Sequence, residues 1–155
     1  MPVEDAGVAH NLVRRAKTVR GEIRFGMRCD PRFDYARGTH TVERRGEREI
    51  LFVGRSGARE LVLRLRSSVA MELEEGAAVA EFTLGVDESA WFVLEVVMAD
   101  EPSPSERTDY VSDAFKETVN FWRAWISRST YKNRWREIVN RSALVLKLLL
   151  SLIHI

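Results

Sequence analysis

Two groups of carboxylates are spaced closely enough to act as an acid–base pair. Asp30 and Asp34 flank Pro31-Arg32-Phe33, where a bend would make them neighbours, and Glu72, Glu74 and Glu75 crowd the end of a short apolar run. Such a pair works when one carboxyl keeps its proton while the other is ionised. The alternation around both groups puts them on polar faces, where carboxylates are ordinarily solvated strand-end charges. His10, His40 and His154 are too scattered to form a metal constellation. Cys29 is the only cysteine, which leaves no disulfide within the chain and no cysteine metal cluster. It reads as a small apolar side chain in a strand. Ser142 lies in a helical pattern without the glycines of a nucleophile elbow. Gly54-Arg55-Ser56-Gly57 reads as a turn rather than a phosphate loop, because no Gly-Lys-Ser/Thr follows. Phe121, Trp122 and Trp125 could stack on a sugar ring, but their spacing also makes a helix stripe, and packing is the expected use. No catalytic, cofactor-binding or metal residue is assigned, and no cofactor is expected.

The elements that would position these residues change type along the chain. From residue 10 to residue 100 the period is two. Ile23, Phe25, Met27 and Cys29 alternate with Glu22, Arg24, Arg28 and Asp30, and Leu61, Leu63 and Leu65 alternate with Val62, Arg64 and Arg66. Each reads as a half-buried strand with a charged outer face. Shorter apolar runs at 49–53, 69–73, 79–84 and 91–98 are separated by Gly21, Gly38, Gly46, Gly54, Gly57, Gly76 and Asp87-Glu88. Seven or eight short strands at this spacing predict an antiparallel β-sandwich. The stretch 100–106, with two prolines and three acidic residues, suits neither a ladder nor a helix interior and reads as a linker.

Beyond the linker the period becomes helical. Val111, Ala114, Thr118, Trp122 and Trp125 share one face, and Trp135, Ile138, Ser142, Leu146 and Leu149 share a face of the next segment. Ser129 to Asn133 is the break, with Asn133 suited to cap the second helix. Two helices joined by a short turn are expected to pack antiparallel or at a sharp angle. The second is apolar nearly all round from 143 to 153, which suits burial in a larger helical domain.

Composition narrows the classes. The 155 residues carry 45% apolar and 30% charged side chains and a net charge of +1, ordinary for a globular domain. Between Lys116 and Lys147, eight Lys/Arg stand against Glu117 and Glu137, which reads as the solvated face of two helices rather than a nucleic-acid surface. The run 143–153 is interrupted by Lys147 and is shorter than the ~20 residues that span a bilayer. Met1-Pro2-Val3-Glu4-Asp5 lacks the basic-then-apolar pattern of a secretory leader, and a cytoplasmic location is expected. Neither a nucleic acid nor a membrane is expected as partner.

The segment 121–149 carries a resemblance. Phe121-Trp122 and Trp125, then Tyr131, Trp135-Arg136-Glu137, Arg141-Ser142-Ala143-Leu144 and Leu146-Lys147-Leu148-Leu149, match in order and spacing a motif of glycoside hydrolase family 15. These are bacterial and archaeal glucoamylase-like and trehalase-like enzymes. Asn133 stands where that family usually has glycine. Further back, Leu12-Val13-Arg14-Arg15, Val19-Arg20-Gly21 and Pro31-Arg32-Phe33-Asp34-Tyr35 are similar to segments of the family's amino-terminal sandwich, with the glycine after Tyr35 displaced to Gly38.

The resemblance implies a specific arrangement. Residues 1–100 would be part of a trehalase-like β-sandwich domain and 101–107 an acidic Pro/Ser linker. Residues 108–130 would form a linker helix, and 131–155 the first helix of a catalytic (α/α)6 barrel. Family members open with strands that precede Met1 here, and Met1-Pro2 resembles an internal segment; after Leu150 the chain departs from the family pattern. An internal fragment is therefore expected. Family enzymes cleave α-glucosidic bonds with inversion, using two glutamates on later barrel loops ~6.5–9.5 Å apart. No position here matches those motifs, so the chain itself is expected to be inactive. The whole protein would take an α-glucoside, and the fragment would self-associate through its last helix. The alternative is a non-catalytic carbohydrate-binding or protein-interaction module with a helical extension, which should close its own sheets and cap its last helix.

Overall fold

A computed structural model describes residues 11–56, 59–96 and 103–153. Eight strands run in the order β1 (Asn11–Lys17), β2 (Ile23–Cys29), β3 (His40–Arg44), β4 (Glu49–Ser56), β5 (Arg59–Ser67), β6 (Glu72–Glu74), β7 (Ala77–Leu84) and β8 (Ser89–Val96). Two helices follow, α1 (Tyr110–Ile126) and α2 (Arg136–Ile153). The strands pair antiparallel into a five-stranded sheet, β1-β8-β5-β4-β3, and a three-stranded sheet, β2-β7-β6. The expected β-sandwich followed by two helices is what the chain forms. Among the described residues between Ile23 and Val96, the only helical piece is a one-turn element at Phe33–Ala36.

Side-chain alternation builds the core. Ile50, Phe52, Leu65, Ala90 and Phe92 of the larger sheet meet Ala78, Ala80 and Leu84 of the smaller one, with Met71 and Phe33 filling the rest. Phe25 stacks on its register partner Phe82 within the smaller sheet at 5.6 Å, and the tilted Phe82–Phe92 pair, 5.7 Å apart, joins the two layers. The β6–β7 hairpin turns on Glu75-Gly76, both at positive φ (51° and 82°), the signature of a two-residue turn that matches strand twist.

Several sequence expectations change. Gly54, Arg55 and Ser56 are not in a turn; they end β4, while Gly57 lies outside the described residues. A glycine is needed there because a Cβ on Gly54 would lie 2.5 Å from the Phe33 ring, which packs flat against the strand. Gly54→Ala should therefore cost ~1–3 kcal/mol by overpacking. Urea melts check this, and adding Phe33→Leu should recover part of the loss. The run 69–73 supplies only a three-residue edge strand, Glu72–Glu74, since Met71 turns into the core before it. β3, with a single apolar residue in His40–Arg44, was not foreseen.

The outer face of the five-stranded sheet is not solvated as its charges suggest. Register places Asn11, Glu95, Arg64 and Leu51 in one row across β1, β8, β5 and β4. All four are buried, as is Val93 beside them. Arg64, read from the sequence as a solvated charge, is only 7% exposed in its side chain and donates from Nε to Glu95 Oε1 at 2.8 Å, Glu95 being 1% exposed. The segment 103–111 docks onto this sheet. Asn11 Nδ2 donates to the Tyr110 hydroxyl at 2.7 Å, and Arg66 Nη1 donates to Ser105 Oγ at 3.3 Å. Ser103 and Ser105, inside the stretch read as linker, are buried and bonded hydroxyl to hydroxyl at 2.6 Å.

The chain divides into two compact units, one reaching to Val111 and the other beginning at Ser112. In the second unit the α1 face read from sequence is the covered one: Ala114 is buried, and Thr118, Trp122 and Trp125 are half-buried. The second helix differs. No side chain of 136–150 is buried, and the half-covered positions are Asn140, Ala143, Leu144 and Lys147, not the expected stripe of Trp135, Ile138, Ser142, Leu146 and Leu149. An all-round apolar helix gives the pattern no preferred face, so either stripe could turn inward. The break falls at 127–135, where the Asn133 carbonyl accepts from the Arg136 amide at 2.9 Å as the helix begins.

Candidate functional site

Among the described residues, none of the sequence candidates assembles into a catalytic constellation. Asp30 is ion-paired with Arg32, and Asp34 with Arg37 at 3.4 Å, so each carboxylate is answered by its own guanidinium rather than by the other. Between them the backbone is unusual: Asp34, Tyr35 and Ala36 follow one another at φ 47°, 55° and 66°. Left-handed conformations cost a non-glycine residue roughly 1–2 kcal/mol each. The turn is held by Phe33, buried beneath it, and by the Gly38 amide donating to the Phe33 carbonyl at 3.1 Å. It presents Tyr35, 91% exposed, with the Arg37 guanidinium 5.9 Å from the ring centroid. Glu74 is bridged to Arg28 at 3.2 Å on an exposed edge, and Glu72 and Glu75 are exposed beside it.

His40 is structural. Its Nε2 donates to the Gly76 carbonyl at 3.0 Å, and its ring sits 5.3 Å from Phe33 and 5.7 Å from Phe52. His10 and His154 lie outside the described residues. Among the described residues no group of three His, Cys, Asp or Glu could hold a metal. Ser142 is exposed in the middle of α2. Phe121, Trp122 and Trp125 meet edge to face, at 5.3 and 6.1 Å, which is ring packing rather than an open flat platform.

One concave feature opens at the margin where the end strands β1 and β2 face each other. A cleft of about 290 Å³ runs in past Leu12, Met27 and Cys29 to the core residues Leu65, Phe92 and Leu94, with Arg14 and Asp30 also lining it. Register puts Arg14 opposite Phe92, hence on the inner face of its sheet, a feature that the Leu12-Val13-Arg14-Arg15 string does not reveal. The Cys29 thiol is pushed up to about 11 by burial and by Asp30, with Arg14 opposing them. It stays protonated and inert as a nucleophile near neutral pH, as expected of a small strand residue.

That shift carries a stability prediction. The unfolded thiol ionises near 9.0 and the folded one near 11, so the folded state loses ground as pH rises through that window. Urea melts across it should show a decline that Cys29→Ser flattens.

The described residues form a β-sandwich followed by two helices, with Asp30, Asp34 and Glu74 each bridged to its own arginine. Two proteins resemble the chain. It is 29% identical over 147 residues to a protein named trehalase from Mycolicibacterium smegmatis (strain ATCC 700084 / mc(2)155), covering 92% of this chain and 22% of that protein. It is 28% identical over 147 residues to a trehalase from Mycobacterium tuberculosis (strain ATCC 25618 / H37Rv), covering 92% and 21%. The chain thus spans about a fifth of the length of the curated relatives it matches. No family model matches it, and no solved structure matches it. Among the described residues no helix is long and apolar enough to cross a membrane.

Proposed function

We propose that this chain is a non-catalytic portion of a trehalase-type glycoside hydrolase of family 15. It comprises part of the amino-terminal sandwich, the linking helix α1 and, in α2, the first helix of an (α/α)6 barrel. The observation that carries the reading is similarity to two trehalases across 92% of the chain but only about a fifth of theirs. Two physical features support it. The candidate carboxylates are separately ion-paired or lie on an exposed edge, so the acid and base that hydrolysis needs would come from the remainder. And α2 exposes Ile138, Val145, Leu146, Leu148, Leu149 and Leu150, an apolar surface suited to further helices. The same surface disfavours a self-contained interaction module, whose last helix would be covered on one side.

The substrate of the whole protein is then an α-glucoside, cleaved with inversion, and trehalose is the first to test. Purified chain incubated with trehalose, maltose or soluble starch should release no glucose above blank. Turnover that disappears on mutating Asp30, Asp34 or Glu74 would overturn the reading.

A further inference from the structure

The turn between β2 and β3 is strained and firmly held. Asp34, Tyr35 and Ala36, none of them glycine, follow one another in the left-handed region that L side chains rarely adopt. Such strain persists only where the surroundings over-determine it, and it gathers at binding and catalytic sites. Here the surroundings do so. Phe33 is the buried root of the turn, and β4 carries glycine at 54, where a Cβ would lie 2.5 Å from that ring. On the far side Arg37 is tied back to Asp34. Its amide and its Nε donate to the Asp34 carbonyl at 3.1 and 3.2 Å, and its Nη2 donates to Asp34 Oδ1 at 3.4 Å. What this scaffold holds out is Tyr35, 91% exposed. A ring left in water adds nothing to the core, so the constraint serves whatever the ring meets. Beside it lies a cavity of about 360 Å³, lined by Arg32, Asp34 and Tyr35 together with Pro31, Leu61 and Leu63.

We propose that this turn binds a neutral pyranose, its ring stacked on Tyr35 and its hydroxyls bonded by Asp34 and Arg32. Shape, charge and hydrogen bonding each narrow the ligand. The face of an aromatic ring is negative, and the C–H face of a pyranose is a flat array of weakly positive hydrogens that matches it. The four charged groups around the turn cancel in pairs, Asp30 with Arg32 and Asp34 with Arg37, which selects a neutral ligand over an anion or a cation. A sugar hydroxyl both donates and accepts, so neighbouring hydroxyls suit a carboxylate beside a guanidinium. Arg32 and Asp34 are partly open to solvent, so a sugar replaces water on them without breaking either ion pair. A tyrosine anchoring a protein partner is typically ringed by contacts that exclude water, whereas Tyr35 is flanked by the solvated Asp34 and Arg37. That the pyranose is a glucose unit rests on the hydrolase reading above; the site and its ligand class rest on the turn.

The test reads binding and no turnover. Failure here therefore leaves the hydrolase reading to its own assay, and an extended polypeptide without glycosidase activity leaves a sugar-binding turn standing. The 155-residue chain is titrated with trehalose, with methyl α-glucoside and with sorbitol, an open-chain polyol that has the hydroxyls but no ring. Amide shifts are followed by NMR, with saturation transfer to the ligand. Both glucosides should move the amides of 33–38 saturably, and sorbitol should not. Tyr35→Ala should weaken binding roughly tenfold and leave the urea midpoint unchanged, because the ring lies outside the core. Tyr35→Phe, which keeps the stacking face, should bind like the parent. Absence of a saturable shift at 33–38 with either glucoside overturns the proposal, as does an equal response to sorbitol. Those two results come from the unaltered chain and hold even if a variant does not fold. Undiminished binding by a folded Tyr35→Ala protein also overturns it.

Discussion

Glu95→Ala should destabilise the sandwich unit by ~3–5 kcal/mol, the loss typical when one member of a buried ion pair is removed and its partner charge stays buried. Glu95 is 1% exposed and its Oε1 accepts from Arg64 Nε at 2.8 Å in the middle of the outer row of the five-stranded sheet. Deleting the carboxylate leaves the guanidinium in a layer closed by Leu51, Val93 and Tyr110, where water does not replace the lost partner. The loss should be smaller for Glu95→Gln, which keeps a hydrogen-bond acceptor. It should be smaller still for the double change Arg64→Met with Glu95→Leu, because an apolar pair of similar volume avoids desolvating two charges. Chemical denaturation of the four proteins gives this order directly. A small loss for Glu95→Ala would mean that the 103–111 segment opens readily and lets water reach Arg64.

Removing residues 143–155 should change the behaviour of the chain in solution from self-associating to monomeric. Leu146 is 61% exposed, and Val145, Leu148, Leu149 and Leu150 are each about half exposed, so the end of α2 offers water a surface apolar on every side. Burying such a side chain is worth ~1.5–3 kcal/mol, and here several gain nothing in the monomer. Contiguous exposed surface of this kind drives association. β1 and β2, which have no outer neighbouring strand among the described residues, are short end strands and add less to association than α2. Size exclusion should show the full chain eluting early or aggregating and the shortened one as a single monomer peak. A full-length chain that is monodisperse and melts cooperatively would show that α2 needs no cover.

Legibility from sequence followed how local the determining contacts are. β2 and β5 were plain because their inward residues alternate without interruption. α1 was plain for the same reason, its covered positions falling at helical spacing. β1 hides because Leu12 and Val13 are adjacent and point to opposite faces, one toward the core and one toward the outer layer. Arg64 looks like any outward charge until Glu95, 31 residues away, is brought beside it. Gly54 looks like a turn until Phe33, from a separate loop, is laid across it. On the functional side, Glu72 and Glu74 are exposed as their alternation suggests, whereas Asp30 is half-buried at the cleft and Asp34 sits in a turn that alternation does not describe. The cleft between β1 and β2 was not readable, because it exists only where two end strands from different sheets happen to face each other.

As the portion of a trehalase-type hydrolase that we propose, the chain would lack the chemistry itself. Glucose release from trehalose, measured side by side for the 155-residue chain and for the polypeptide encoded when the reading frame is extended through its genomic flanks, tests it most directly. The prediction is no release above blank for the chain and steady turnover for the extended protein. Turnover by the chain alone, or an extended polypeptide without any glycosidase activity, would contradict it.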